Sequence, residues 1–212
     1  MRQPIAVDVF EALEEARGAK VRRHPSADRV DDRALVARAR AGDGWAEEAL
    51  YRRYADDVGI IAVRLLKSRT DAEDVLQDTF AIAFEKLSSL RDGAAVRGWL
   101  VQIAVSQVRR RFRRRRLRRL LGLDADADQA TLESIAEPSA GPEVRAELAL
   151  LDRALDRLAP DHRIAWMLRY VEGETLEDVA RACDCALATA KRRLAAADAI
   201  VRAEVNLVEV DR

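Results

Sequence analysis

The sequence predicts an all-α fold with two helical domains joined by a flexible linker. The composition favours helices, because Ala, Leu, Arg and acidic residues dominate and the 212 residues include only 9 glycines and 5 prolines. Apolar residues recur at helical spacing along most of the chain, and no stretch alternates as a half-buried strand does. Residues 122–142 combine glycine, proline and alternating Asp and Ala, which is typical of a linker.

Charge is distributed unevenly along the chain. The 37 basic and 37 acidic residues cancel, but nine of the eleven residues in 109–119 are arginine and the stretch 124–147 is mainly acidic. Taken alone, this arginine block indicates a nucleic-acid contact, a membrane patch, a tail or a solvated helix end. One hypothesis is that the acidic stretch folds back on the arginines in the free protein.

Cysteine content and hydropathy narrow the class of protein further. Cys183 and Cys185 are too close for an ordinary disulfide and too few for a zinc site, so we expect them to pack in the core. The longest apolar stretch, 58–66, is interrupted by Arg64 and is too short to span a bilayer. Met1 is not followed by a signal-peptide core. We therefore expect a cytoplasmic protein with no membrane insertion, no cofactor and no bound metal.

Helix signals organise the first domain. Residues 1–30, with a possible short helix at 7–16, are interpreted as a mobile extension. The next segments each carry an apolar stripe, and they are 31–42, 45–65, 71–87 and 96–108. The last segment is apolar nearly all round, which predicts a helix buried at the centre of a bundle and running on into the arginine block. Residues 88–94 are predicted to form a loop.

The segment that begins at Asp71 carries an acidic stripe. Asp71, Asp74 and Asp78 are spaced three and four apart, so they share one helix face with Gln77 beside them. The opposite face carries Leu76, Phe80, Ala83 and Leu87. Such a stripe suits docking against a basic partner helix. It also suits a solvated face whose acids favour the helix N-terminus, and the pattern alone favours this second interpretation.

The last part of the chain carries a helix-turn-helix pattern. A helix at 161–171 ends at Gly173, Thr175 with Asp178 opens a short helix, and a break at Asp184 precedes a helix from Leu187. Two short helices around a tight turn, the second basic near its start, favour insertion of that second helix into a major groove. A plain helical hairpin with a solvated basic face is the alternative.

These segments resemble regions 2 and 4 of the extracytoplasmic-function (ECF) subfamily of bacterial RNA polymerase sigma factors. The region 2 resemblance rests on Asp71-Ala72-Glu73-Asp74-Val75-Leu76-Gln77-Asp78-Thr79-Phe80, Gly98-Trp99-Leu100-Val101-Gln102-Ile103-Ala104 and the earlier Tyr51-Arg52-Arg53-Tyr54. The region 4 resemblance rests on Leu158-Ala159-Pro160, Arg169-Tyr170-Val171-Glu172-Gly173 and Thr189-Ala190-Lys191-Arg192-Arg193-Leu194. It implies region 2 at 31–120, a linker at 121–142, region 4 at 143–205 and a tail at 206–212.

The resemblance implies a sigma factor, not an enzyme, that directs core RNA polymerase to promoters and helps open the −10 element. Implied partners are core polymerase, promoter double-stranded DNA, the non-template single strand and an anti-sigma factor. The residues implied to contact core polymerase are Asp74, Gln77, Asp78 and Phe80. Those implied at the −10 element are Ser88, Ser89, Arg91, Arg97, Trp99, Arg109, Arg110 and Arg113. Those implied at the −35 element are Thr175, Ala188, Thr189, Lys191, Arg192 and Arg193.

Region 4 departs from the family pattern at several positions. Asp184 replaces the usual turn glycine, which Asp tolerates, and Ala186 replaces a capping Ser or Thr at a cost of about 1 kcal/mol. Residues 195–198 lack the family's frequent cations, so we expect weaker or altered −35 recognition. This motivates an alternative function as a sigma-like regulatory module that binds polymerase without initiating. A nucleic-acid enzyme is a further alternative, but catalytic clusters are missing from the sequence.

Overall fold

The structure is a computed structural model, and it describes residues 30–122 and 142–210. The predicted N-terminal helix, nearly all of the extension and linker, and most of the acidic stretch that was hypothesised to fold back lie outside these residues. The described residues are helical with no strand, which confirms the all-α prediction. They belong to two compact units, which are treated separately. No helix among them is both long and apolar enough to cross a membrane.

The first unit contains four α-helices: α1 (Asp32–Arg40), α2 (Gly44–Leu66), α3 (Arg69–Glu85) and α4 (Val96–Leu120). Helix α2 packs against the other three, and α3 also packs against α4. The core is made of side chains from all four helices, among them Leu35, Leu50, Ile61, Leu65, Val75 and Val105. This packing holds the acidic stripe of α3 beside the arginine-rich half of α4.

Local capping explains where α3 begins. The Ser68 hydroxyl accepts the backbone N–H of Asp71, so the helix starts at Arg69, two residues before the predicted start. At the other end, Leu87 lies in a short 3-10 turn (Leu87–Ser89) rather than in α3, and a second one (Gly93–Ala95) leads into α4. The predicted loop at 88–94 is therefore a structured connection between α3 and α4.

Two burial predictions for the first unit are wrong. Trp45 was placed on the apolar stripe of α2, but its side chain is 47% exposed and lies under the guanidinium of Arg38, 4.6 Å from the ring centroid. Helix α4 was predicted to be buried at the centre of the bundle. It is buried on one side only, and Trp99 and Ile103 are half-buried. Trp99 is therefore not fully enclosed by the core.

The second unit contains α5 (Pro142–Asp156), α6 (Pro160–Trp166), α7 (Leu176–Ala182) and α8 (Leu187–Val210), with a π-helical turn (Met167–Val171) after α6. Helix α8 packs against α5, α6 and α7. Trp166 is 1% exposed and lies in the core of this unit. Helix α8 runs through Val210 and so includes most of the segment predicted to be a tail.

The turn of the second unit forms as predicted. Asp184 has a φ of 47°, the left-handed conformation expected where Asp replaces a turn glycine. Thr175 caps α7 by accepting the backbone N–H of Asp178, as the capping pattern predicted. Cys183 is buried, which confirms its role in packing, whereas Cys185 is half-buried.

Candidate functional site

The acidic stripe of α3 is paired with two arginines of the arginine block. The Arg111 guanidinium lies 2.9 Å from the Asp74 carboxylate, 3.4 Å from Asp78 and 3.5 Å from Asp71. Arg115 donates to Asp71 through Nε at 3.1 Å and to the backbone carbonyl of Leu66 at 2.8 Å. Two cations therefore serve three carboxylates, and the cluster keeps one net negative charge.

Exposure within this cluster differs between the two helices. The Arg111 side chain is 16% exposed, whereas Asp74 is 50% exposed and Asp78 is 47% exposed. Burial lowers the pKa of Arg111, but the hydrogen bond and the charge of Asp74 outweigh it and raise the pKa above its ordinary value. Arg111 is thus a permanently charged and largely buried cation. The Asp74 and Asp78 carboxylates present their remaining oxygen lone pairs to solvent.

The remaining residues implied in polymerase contact divide between surface and core. Gln77 is exposed on the outer face of α3. Phe80 is 3% exposed and lies between Tyr51, with ring centroids 4.7 Å apart, and Phe84, at 5.8 Å. Phe80 therefore supports α3 from within and is not available at the surface, which corrects its assignment as a contact residue.

The connection between α3 and α4 exposes three of the residues implied at the −10 element. Ser88 and Ser89 are exposed between the buried side chains of Leu87 and Leu90, and Arg91, which follows Leu90, is also exposed. The Ser89 hydroxyl donates to the carbonyl of Lys86 at 2.7 Å. The buried side chains of Leu87 and Leu90 thus hold the connection against the core, and its polar side chains face solvent.

Other residues implied at the −10 element lie along α4. Arg97 is paired with Asp57 of α2, with 3.3 Å between Nε and the carboxylate. Trp99 and Arg109 are half-buried, whereas Arg110 and Arg113 are exposed. The arginine block thus has an inner face, where Arg111 and Arg115 lie, and an outer face that includes Arg110 and Arg113.

The helix-turn-helix exposes most of the residues implied at the −35 element. Thr175, Ala188, Lys191 and Arg192 are exposed, and Thr189 is half-buried. Arg193 differs from its neighbours, because its guanidinium lies 2.7 Å from the Asp161 carboxylate and its side chain is only 20% exposed. This pair ties α8 to α6, so Arg193 is already engaged within the unit.

A second tie between α8 and the preceding segment is made by Asp198. Its carboxylate accepts the Trp166 indole N–H at 3.0 Å and the Tyr170 hydroxyl at 2.8 Å. Burial, and then the hydrogen bond to Asp198, raise the pKa of Tyr170 to about 12. Asp198 is therefore an internal acceptor that fixes α8 against Trp166 and Tyr170.

Comparison with known proteins assigns this arrangement of helices to a family. Family models described as "Sigma-70 region 2" and "Sigma-70, region 4" match residues 50–128 and 148–197. The ECF RNA polymerase sigma-E factor of Haemophilus influenzae is 30% identical over 174 residues, which cover 79% of this chain and 92% of that relative. The chain belongs to the ECF sigma factors.

Other sigma factors match over a similar length. The ECF RNA polymerase sigma-E factor of Escherichia coli K12 is 30% identical over 177 residues, covering 79% of this chain and 90% of that protein. The sigma factor RpoE of Bartonella quintana, solved in complex with the anti-sigma factor NepR, superposes with a TM-score of 0.59 at 26% identity. That match covers 78% of this chain and 98% of the solved chain.

Membership establishes what this sigma factor does. It is an RNA polymerase sigma factor that binds the polymerase and promoter DNA and directs promoter-specific initiation of transcription. It is not an enzyme. The function predicted from the motifs is thereby confirmed, and the nucleic-acid enzyme alternative is wrong.

Sequence reasoning missed the internal partners in this sigma factor. Arg111 and Arg115 are four residues apart and so share a helix face, which was a signal that part of the arginine block faces inward. Asp198 gave a weaker signal, as an acid at a position where the family has cations. No local pattern pointed to Arg193, because its partner Asp161 lies 32 residues away.

Proposed function

We propose that the exposed face of α3, formed by Asp74, Gln77 and Asp78, is the surface by which this sigma factor binds core polymerase. The observation that carries this proposal is the cluster with Arg111, in which both carboxylates are oriented and about half exposed. A basic side chain of the polymerase can bind the outer oxygens while Arg111 keeps the inner ones. Preorganised carboxylates lose little conformational entropy on binding, which favours affinity.

The α3–α4 connection and the outer face of α4 are proposed to bind the −10 element. Ser88 and Arg91 offer hydrogen-bond donors. The Ser89 hydroxyl donates to the Lys86 carbonyl and keeps its oxygen as an acceptor, and this combination suits an unstacked base and its phosphates. Arg110 and Arg113 extend the positive charge along α4 and contribute salt-sensitive affinity rather than base choice. Arg111 and Arg115 are excluded from this surface, because their guanidinium groups bind α3.

Helix α8 is proposed to bind the −35 element through Ala188, Thr189, Lys191 and Arg192. These residues lie in the first two turns of α8 after the helix-turn-helix turn, where a recognition helix contacts base edges. Arg193 is proposed to act by holding α8 against α6, because its pair with Asp161 withdraws it from solvent. Residues 195–198 of α8 carry no cation, and Arg193 is paired within the unit, so we expect a smaller electrostatic share of −35 affinity.

The proposed binding surfaces lie in two domains that correspond to sigma regions 2 and 4. We propose region 2 at 31–120, a linker at 121–142 and region 4 at 143–205. We further propose that an anti-sigma factor controls the protein, as the Bartonella quintana relative was solved with one. Because bacterial RNA polymerase and promoter DNA are in the cytoplasm, we infer that the protein acts there.

The test of the docking surface compares two variants that break the same ion pairs from opposite sides. Asp74→Asn with Asp78→Asn removes the carboxylates, whereas Arg111→Gln removes their internal cation and leaves them more negative. We expect the double variant to bind core polymerase at least about tenfold more weakly. Arg111→Gln should lose much less affinity, because the carboxylates keep their charge and lose only the order that Arg111 gives them.

Fluorescence anisotropy with labelled full-length protein and purified core polymerase measures both affinities. Thermal unfolding of each variant shows how much the lost ion pairs cost the fold on their own. If both variants lose core affinity equally, in step with stability, the carboxylates serve the fold of region 2 and the docking assignment is wrong.

A further inference from the structure

Helix α1 holds the α3–α4 connection by its backbone. The Arg40 guanidinium donates through Nε to the carbonyl of Leu87 at 3.1 Å and through Nη2 to the carbonyl of Leu90. The side chains of both leucines are buried, 4% and 7% exposed. The backbone on each side of Ser88 and Ser89 is therefore held in two ways. The leucine side chain is buried in the core, and the carbonyl of the same leucine accepts a hydrogen bond from the Arg40 guanidinium.

The second half of the connection is fixed to the same helix. The Asp92 carboxylate accepts the backbone N–H of Ala94 at 3.0 Å and the Nε of Arg33 at 3.2 Å. These two hydrogen bonds, the backbone one first, lower the pKa of Asp92 below its ordinary value, so the group stays charged. A Cβ on Gly93 would lie 2.9 Å from the Arg33 Cα, so glycine allows α1 and the connection to touch.

We propose that Arg40 is a positioning residue for −10 recognition, acting through the connection it binds rather than through DNA. The inference rests on the proposed function, in which Ser88, Ser89 and Arg91 contact the −10 single strand. Base choice needs these side chains held in one arrangement before the base arrives, because ordering them on binding would cost conformational entropy. Arg40 supplies that order by joining the carbonyls on either side of the two serines.

The chemistry requires arginine at this position. A guanidinium presents several N–H groups in a fixed plane and can bind two carbonyls at once with defined geometry. A lysine ammonium carries the same charge on a flexible chain and has no fixed fork. Arg40→Lys therefore separates positioning from simple attraction of phosphate, because it keeps the charge and loses the geometry.

The experiment uses holoenzyme made from the full-length protein and core polymerase. The probe is a pool of fork-junction DNA in which the non-template single strand is randomised across the −10 element. Sequencing the bound fraction gives the base preference at each position. The variants are Arg40→Ala, Arg40→Lys and a loop pair, Ser88→Ala with Arg91→Ala. Arg38→Ala is the matched control, an exposed arginine of α1 that binds Asp43 and Trp45 instead.

We expect both Arg40 variants to lower the strongest base preference about tenfold, the loss equivalent to one or two hydrogen bonds. Core affinity should be unchanged, and Arg38→Ala should keep the wild-type preference. Hydrogen exchange at residues 87–95 of the free protein should rise in the Arg40 variants and not in Arg38→Ala. Arg40→Lys keeping the full preference would show that Arg40 acts by charge, which overturns the inference.

The loop pair separates failure of the inference from failure of the proposed function. If the loop pair loses base preference and Arg40→Ala keeps it, the positioning role is wrong and the −10 assignment stands. If the loop pair keeps its preference, the α3–α4 connection does not read the −10 element, and both proposals are overturned. Loss in both sets, with hydrogen exchange raised only in the Arg40 variants, supports both.

Discussion

Replacing Asp198 tests how α8 is held against α6 and the π-helical turn. The carboxylate accepts two hydrogen bonds, from the Trp166 indole N–H at 3.0 Å and the Tyr170 hydroxyl at 2.8 Å. Asp198→Ala removes both acceptors at once. Trp166 is 1% exposed, so its N–H has little access to water after the change. Tyr170 is half-buried, so its hydroxyl can recover part of its loss by hydration.

The expected loss follows from these two environments. An unsatisfied buried donor costs about 1–3 kcal/mol, and a hydrogen bond to a charged acceptor contributes about 1.5–3 kcal/mol. Because Tyr170 rehydrates, we expect Asp198→Ala to lower the free energy of unfolding of this unit by about 2–4 kcal/mol. Asp198→Asn keeps an acceptor oxygen for Trp166, so its loss should be about 1 kcal/mol.

Urea denaturation measures these values in a background with Trp45→Phe and Trp99→Phe. Trp166 is then the sole tryptophan of the chain, and its fluorescence reports this unit alone. The matched control is Glu204→Ala, which removes an acid of the same helix whose partner, Arg157, is 62% exposed. The control should lose at most about 1 kcal/mol. An Asp198→Ala protein as stable as the control would refute the reasoning.

Three further predictions concern charge, packing and pH. Arg110→Gln with Arg113→Gln should reduce the slope of log K against log salt for DNA binding by about 1.4–1.8, measured by titration at several salt concentrations. Gly93→Ala should lower the melting temperature and cost about 1–3 kcal/mol, because its Cβ would lie 2.9 Å from the backbone of Arg33. The folded-state pKa of Tyr170 is raised to about 12 from 10. Its contribution to stability is therefore complete below pH 10 and is lost as the pH rises towards 12, and Tyr170→Phe should reduce that loss in denaturation curves.

Local sequence signals predicted the helices well and their ends less well. Thr175 and Asp178 predicted the start of α7, since a cap acts within three residues of its own position. The start of α3 was misplaced, because Ser68 caps the helix more effectively than the acids that follow it. The helical part of the second domain was placed too short, ending at residue 205 before a tail, whereas α8 runs through Val210. No glycine or proline interrupts the intervening residues.

The position of the proposed polymerase-binding surface on α3 was predicted from sequence, but one of its predicted residues was wrong. Motif spacing brought Asp74, Gln77 and Asp78 to one face of α3, and that face is exposed. The same spacing placed Phe80 on the opposite, apolar face of α3, where it meets Tyr51. Only the resemblance to the family assigned Phe80 to the contact surface. The apolar stripe of a helix indicates which face is buried, but the residues that cover that face belong to other helices and are set by tertiary packing.

By itself, the sequence determined the all-α class, the order of most helices, the helix-turn-helix turn and membership in the sigma factors. These features depend on contacts within about four residues or on motifs that can be matched along the chain. Only the tertiary structure decided which arginines bind groups within the protein and which face solvent. Arg111 and Arg115 lie 33–44 residues from the carboxylates they bind, and Arg40 lies 47 and 50 residues from the carbonyls it holds. Nine arginines in one block look equivalent in sequence, but packing of α4 against α3 turns two of them inward and leaves others facing solvent.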